Sequence, residues 1–244
     1  MENVKNKTVL IIPDIHGREF WKEGVEKRRA EETIIFLGDY TDPYPHEGIS
    51  HEVVPGILEE IIELSNSVLL LGNHDLSYIY PNSPECRKDT NFERLKWLEE
   101  FFEKNHSKFS LTHTIHREDS NTDVIFSHAG LLEGLYHTMG NPAHVAEQFN
   151  IWWKDRDHVL ESELFKVGWL RGGDSKFGSL VWADVREHVS KSNQVWDNYF
   201  QVFGHTMLKE GKIVNAPQFR CACVDCQRPV RMWWDLDVPE FEVL

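Results

Sequence analysis

The sequence predicts an α/β fold with parallel strand pairing, and three observations carry that expectation. Short apolar runs recur along the chain and stop at glycine or a polar residue. Amphipathic stretches separate the first three of these runs, which is the strand-helix-strand order of parallel sheets. The 244 residues suffice for one sizeable core and would be cramped for two, so a single domain spanning residues 1–244 is expected. Hydrophobic residues make up 41% of the chain and nine are tryptophan, which argues for a packed globule over a disordered chain.

Each element follows from its pattern. TVLIIP is a buried strand that stops at Asp14; TIIFLGD, SVLLLGNHD, DVIFSHAG and YFQVFGHT repeat the form. Helices are expected over 19–32, interrupted by Gly24, and over 50–65, where Ile57, Leu58, Ile61, Ile62 and Leu64 lie near one face. Residues 91–105 form a third helix, with Phe92, Leu95, Leu98 and Phe102 directed to the core. Residues 141–153 form a fourth, with Pro142 in its first turn. Strands and tight turns follow, in EGKIVNAPQFRCACVD and RPVRMWWDLDV. The tryptophans at 152, 153, 169, 182 and 196 are expected in packing; the alternative is the wall of a cleft.

Charge narrows the function classes. With 26 Lys+Arg against 40 Asp+Glu the net charge is -14, which opposes general attraction to a nucleic-acid backbone. A small phosphorylated substrate remains compatible, because bound cations can dominate a site. No run is long enough to span a membrane and the first residues lack a signal-peptide core, so a soluble, cytoplasmic protein is the expectation. Cys221, Cys223 and Cys226 cluster in CACVDC; reduced thiols on a strand and its turn are the expectation, a soft-metal site the lesser alternative.

The strand ends carry the chemistry. Asp14 and His16, Asp39, Asn73 and His74, His128, and His205 each follow an apolar run within a few residues. Parallel strands deliver such residues to one sheet edge. In an extended segment Asp14 and His16, two apart, point to one side. One histidine or aspartate after a strand signifies little, but five strand ends carrying imidazoles, carboxylates and a carboxamide form a donor set for divalent cations. Two such ions about 3.5–4 Å apart can activate water and clamp the oxygens of a displacement at phosphorus.

These residues resemble the calcineurin-like metallophosphoesterases. The matching blocks are DIHG (14–17), GDYTD (38–42), GNHD (72–75), HAG (128–130) and GHT (204–206), in the family's order. The resemblance implies a four-layer α-β-β-α sandwich of two mixed sheets with a dinuclear centre at the strand ends. It implies Asp14 and His16 on a first metal, Asp39 bridging, and Asn73, His128 and His205 on a second. Manganese is the leading metal; iron, zinc, nickel and magnesium are alternatives. His74 matches the substrate-facing histidine that protonates the leaving oxygen, Asp42 would orient it, and a metal-bridging hydroxide would attack phosphorus.

The single-histidine GHT, with Met207 where nucleases and cyclic-nucleotide phosphodiesterases of the superfamily carry a second histidine, resembles the phosphoprotein phosphatase branch, as do HAG and SLVWAD (179–184). That branch includes serine/threonine phosphatases and dinucleoside tetraphosphate hydrolases. The resemblance therefore implies hydrolysis of a phosphate monoester, on a small molecule, nucleotide or phosphoprotein. Dinucleoside polyphosphate cleavage and a non-catalytic scaffold are the alternatives. One departure matters: Pro43 stands where the branch has a phosphate-gripping arginine. Arg171, beside Gly172 and Gly173, is the expected replacement.

Overall fold

A computed structural model describes residues 8–80, 82–84, 87–116, 122–190, 198–234 and 238–244. Cys86 and Trp196 lie outside the described residues. Eleven strands among the described residues form two mixed sheets. In the first, β1 (Val9–Ile12), β2 (Thr33–Phe36), β3 (Ser67–Leu70) and β4 (Phe109–Ser110) run parallel, and β10 (Val230–Trp234) and β11 (Pro239–Val243) add an antiparallel hairpin beyond β1. In the second, the order is β5 (Thr112–Ile115), β6 (Asp123–Ser127), β7 (Tyr199–Phe203), β9 (Cys221–Cys223) and β8 (Val214–Ala216). Here β6, β7 and β9 are parallel and the two edge strands antiparallel.

The apolar runs of β1, β2 and β6 are uninterrupted because those strands are covered on both faces. Along β1, Val9 and Ile11 turn into the space between the sheets, where they meet Val124, Phe126 and Val202. Leu10 and Ile12 turn outward to helices α1 (Phe20–Lys27), α2 (Val53–Ile62), α3 (Asn73–Ile79), α4 (Phe92–Lys104), α6 (Pro142–Asp155) and α7 (Val159–Leu164). Phe203, Cys221 and Cys223 turn to the far side, against α8 (Val185–His188); α5 (Glu133–Tyr136) precedes α6. The layers are thus helix, sheet, sheet, helix, the four-layer sandwich.

Several expectations change. The helix expected over 19–32 ends at Lys27, and Arg28 is already extended. The chain must leave the helix there for Glu32 to reach Arg231 across the sheet, at 2.6 Å. Phe92 opens α4 beyond the edge of the core and is 78% exposed, whereas Leu98 and Phe102 are buried as expected. Strands β4 and β5 were not anticipated, because a two-residue strand and the polar THTI carry almost no apolar signal. The three cysteines are free and buried, on β9 and its following turn.

Candidate metal centre

The strand ends converge, from two sheets instead of one. Asp14, Asp39 and Asn73 follow β1, β2 and β3 of the first sheet; His128 and His205 follow β6 and β7 of the second. The segment after β1 is a turn and not extended, with His16 at φ 46°. Main-chain bonds tie that turn to the next strand end: the N–H groups of Ile15 and His16 both donate to the Asp39 carbonyl, at 3.1 and 2.8 Å. Glycines allow the close approach. A Cβ at Gly72 would collide with the Asp39 carboxylate, and one at Gly204 with Oδ1 of Asp14.

The geometry of the ring nitrogens defines what the rim can hold. His128 Nδ1 lies 2.8 Å from the Leu37 carbonyl, so it carries the proton and leaves Nε2 as a lone pair. That Nε2 faces Asn73 Oδ1 at 3.0 Å, His205 Nδ1 at 3.1 Å and Asp39 Oδ2 at 3.5 Å. His16 repeats the arrangement: its Nδ1 meets the carbonyls of Thr41 and Asp42 at 2.9 and 3.1 Å, and its Nε2 lies 3.4 Å from the same Asp39 Oδ2. Lone pairs aimed at one another cannot hydrogen-bond; a cation between them resolves the conflict. His205 turns Nδ1 to this group, and its Nε2 is buried with no hydrogen-bond partner.

Two triads of ligand atoms are close enough to share an ion: His16, Asp39 and His74, and Asp39, His128 and His205. Asp39 belongs to both, as a bridging carboxylate must. Asp14 is buried beside them and accepts the His205 main-chain N–H at 3.0 Å. These donors fit two divalent cations.

Electrostatics separates the residues further. Burial would raise the Asp39 carboxyl, but the His128, His74 and His16 imidazoles hold it well below the usual range. Burial and the neighbouring Asp39 push Asp14 well up. Burial lowers His16, and burial with His128 lowers His205 further, so both stay neutral and keep their lone pairs near pH 7. His74 goes the other way. Burial pulls it down, but Asp39 and the hydrogen-bonded Asp42 carboxylate raise its proton affinity overall. Asp42 itself is fully buried; its Oδ2 holds His74 Nδ1 at 2.9 Å and its Oδ1 accepts the Tyr78 hydroxyl at 2.6 Å.

Arg171 reaches the same rim. Its guanidinium donates to Thr206 Oγ1 at 2.8 Å and to the His205 carbonyl at 3.3 Å. Its Nε stands 3.1 Å from Asp184 Oδ2, an ion-pair distance, but at an angle that leaves that N–H without a hydrogen bond. Of the described tryptophans noted in the sequence, Trp182 lies at the site, 5.8 Å from the His205 ring. Trp153 is core and Trp169 is exposed on the surface.

Sequence reasoning missed Asp75, whose carboxylate receives the N–H groups of Tyr40, Thr41 and Gly72 and so clamps the second strand end to the third. Burial and Asp39 raise it to about 7. Its signal was present, an acidic residue three positions after the glycine that opens α3. Tyr44, 4.5 Å from the His16 ring, and Lys88, on the Tyr44 ring, were also missed, since no spacing in the chain links 44 to 88.

A family model for calcineurin-like phosphoesterases matches residues 7–208. The chain belongs to that family and is a metallophosphoesterase. Among solved structures, it is similar to the cold-active protein-tyrosine phosphatase of a psychrophilic Shewanella species, with TM-score 0.60, 14% identity, and coverage of 96% of this chain and 80% of that one. It is also similar to a protein serine/threonine phosphatase from Saccharomyces cerevisiae, with TM-score 0.50, 16% identity, and coverage of 99% and 80%. At these identities the likeness is one of fold. A sequence search of curated proteins finds no match.

Proposed function

We propose that this metallophosphoesterase hydrolyses phosphate monoesters, phosphoserine or phosphothreonine among them, at the Asp39 rim. The observation that supports the reading is the pairing of two ligand triads that share Asp39 with a histidine, His74, fixed beside them through Asp42. In this reading Asp14 and His16 would hold one cation, Asn73, His128 and His205 would hold the other, and Asp39 would be shared between them. Manganese suits this mixture of imidazole, amide and carboxylate oxygen; iron, zinc, nickel and magnesium are the alternatives. Bound there, the two ions would supply Lewis acidity toward the phosphate and lower the pKa of a water.

The chain's own groups complete the reaction. His74, fixed through Nδ1 by Asp42, presents Nε2 to the substrate and gives its proton to the departing alkoxide. His74 lies near enough to His16 and Asp39 to ligate, but a histidine held toward its protonated form is better suited to general acid work. Arg171, whose terminal nitrogen donates to the His205 carbonyl and to Thr206 Oγ1, stands on the second-sheet side as a further contact for the phosphate. No described helix is long and apolar enough to cross a membrane, and the three described cysteines are free, which fits a cytoplasmic setting.

The test is turnover of an aryl phosphate by manganese-loaded protein, followed by a panel of phosphopeptides, mononucleotides and dinucleoside polyphosphates. Preference for phosphopeptides is expected. Preference for dinucleotides would move the assignment to phosphoanhydride cleavage, and absence of both metal and turnover would leave a binding scaffold.

A further inference from the structure

Three cationic side chains approach the site, and their partners separate them. Arg18 is committed: its Nε and one terminal nitrogen grip both oxygens of Glu47, at 2.8 and 2.6 Å. Arg171 is tied to Asp184 and Thr206 on the far side of the rim. Lys88 is different. Its main-chain N–H donates to Asp42 Oδ1 at 3.0 Å, while Oδ2 of that carboxylate holds His74. The side chain leaves this anchor for the Tyr44 ring, placing Nζ 4.4 Å from the ring centroid. Tyr44 in turn sets its hydroxyl 3.3 Å from His16 Nε2. The ammonium is exposed and makes no ion pair among the described residues.

We infer that Lys88, seated on Tyr44 and anchored through Asp42, is a phosphate-gripping cation of this enzyme on the first-sheet side of the rim. The inference rests on the monoesterase reading only in its choice of anion. Asp42 then has two tasks, since one carboxylate positions both the histidine facing the leaving oxygen and the segment carrying the phosphate cation. An ammonium is a point charge with rotatable donors, whereas a guanidinium is a planar fork, so the grip enforces less orientation on the phosphate than an arginine would. The aromatic platform compensates in part by holding the ammonium over one ring face.

The experiment titrates inorganic phosphate into manganese-loaded wild type, Lys88→Met and Lys88→Arg by calorimetry, with metal content measured on the same samples. Methionine keeps the apolar stem on Tyr44 and the main-chain bond to Asp42. The expected result is phosphate binding about tenfold weaker in Lys88→Met, near wild type in Lys88→Arg, with metal content unchanged. With an aryl phosphate, KM should rise in Lys88→Met more than kcat falls. Equal phosphate affinity in Lys88→Met and wild type overturns the assignment, as does a loss of affinity matched by loss of metal, or a wild type that does not bind phosphate. Wild type that binds phosphate in a Lys88-dependent way but hydrolyses no ester overturns the monoesterase reading and leaves Lys88 as the anion's partner.

Discussion

Two buried polar clusters in this molecule are built on opposite principles. At the start of β2, Glu32 is fully buried against Arg231 of β10, and the donors and acceptors match. Arg231 Nε gives 2.6 Å to Glu32, its NH2 group 2.9 Å to the Lys27 carbonyl, and the Arg29 N–H satisfies the other Glu32 oxygen at 2.9 Å. At the Asp39 rim lone pairs face lone pairs and one imidazole nitrogen has no partner. Backbone conformation divides the same way. Among the described residues eight non-glycines take positive φ, and His16, Asp39, Asp42 and His205 are four of them, whereas neither Glu32 nor Arg231 is. Left-handed backbone at such residues costs about 1–3 kcal/mol each. The first cluster is satisfied by the fold alone; the second becomes satisfied only when cations enter.

The comparison breaks first, and most, at Asp39. Asp39→Asn removes the charge common to both triads, and turnover should fall by about a thousandfold or more, equivalent to about 4 kcal/mol, with loss of bound metal seen by elemental analysis. Retained metal and turnover would show that the rim is not organised around this carboxylate.

Arg231→Met tests the other cluster. Removing one partner of a buried pair leaves a desolvated charge, so unfolding in urea at pH 7 should show a loss of about 3 kcal/mol, with metal content and turnover of the folded protein unchanged. The pH dependence gives the sign. In wild type burial raises the Glu32 carboxyl, but Arg231 and the Arg29 N–H outweigh it and hold it below its ordinary 4.5. Its contribution is therefore full above that value and is lost as pH falls through the lower folded-state value. Without Arg231 the Arg29 N–H and Thr8 remain to oppose burial but the charge partner is gone, so the carboxyl rises and the deficit should shrink as pH drops from 7 toward 4.5. A deficit independent of pH would mean that packing, and not the charge pair, was lost.

His74→Asn sharpens the division inside the rim. The substitution should reduce kcat about a hundredfold while metal content stays at wild-type level, because the proton donor and the ligand set are distinct in the proposed mechanism. Loss of metal in that variant would instead make His74 a ligand. The last effect is thermal. Manganese at a hundredfold excess over its dissociation constant should stabilise by about 2.7 kcal/mol per site, raising Tm by about 5–10 °C in a domain of this size, reversibly with chelator. The Arg231→Met protein should show the same increment, and an absent increment would remove the cation from the account of the rim.

Much of the rim was readable before the fold, and the reason is local. Each donor sits where an apolar run meets a glycine, so strand ends announce themselves without knowledge of pairing. Parallel register then brings Asp14, Asp39 and Asn73 to a common edge. What failed to show was nonlocal or polar. Strand β5 is made of threonine and histidine, α1 stops where Glu32 must reach a residue 199 positions away, and Phe92 has the right spacing at the wrong end of its helix.

By itself the sequence determined the apolar strands, the glycines and the residue types at the strand ends, because those follow from hydrophobic pattern and side-chain chemistry over a few residues. Only the tertiary structure decided which lone pairs face one another across two sheets, which nitrogen of each histidine is left free, and which cation stands over the site. Those depend on contacts between segments far apart in the chain. Asp42 shows the division most plainly: its place after GDYT was plain in the sequence, but its joint hold on His74, Tyr78 and Lys88 exists only once α3 and the segment after it fold back over β2.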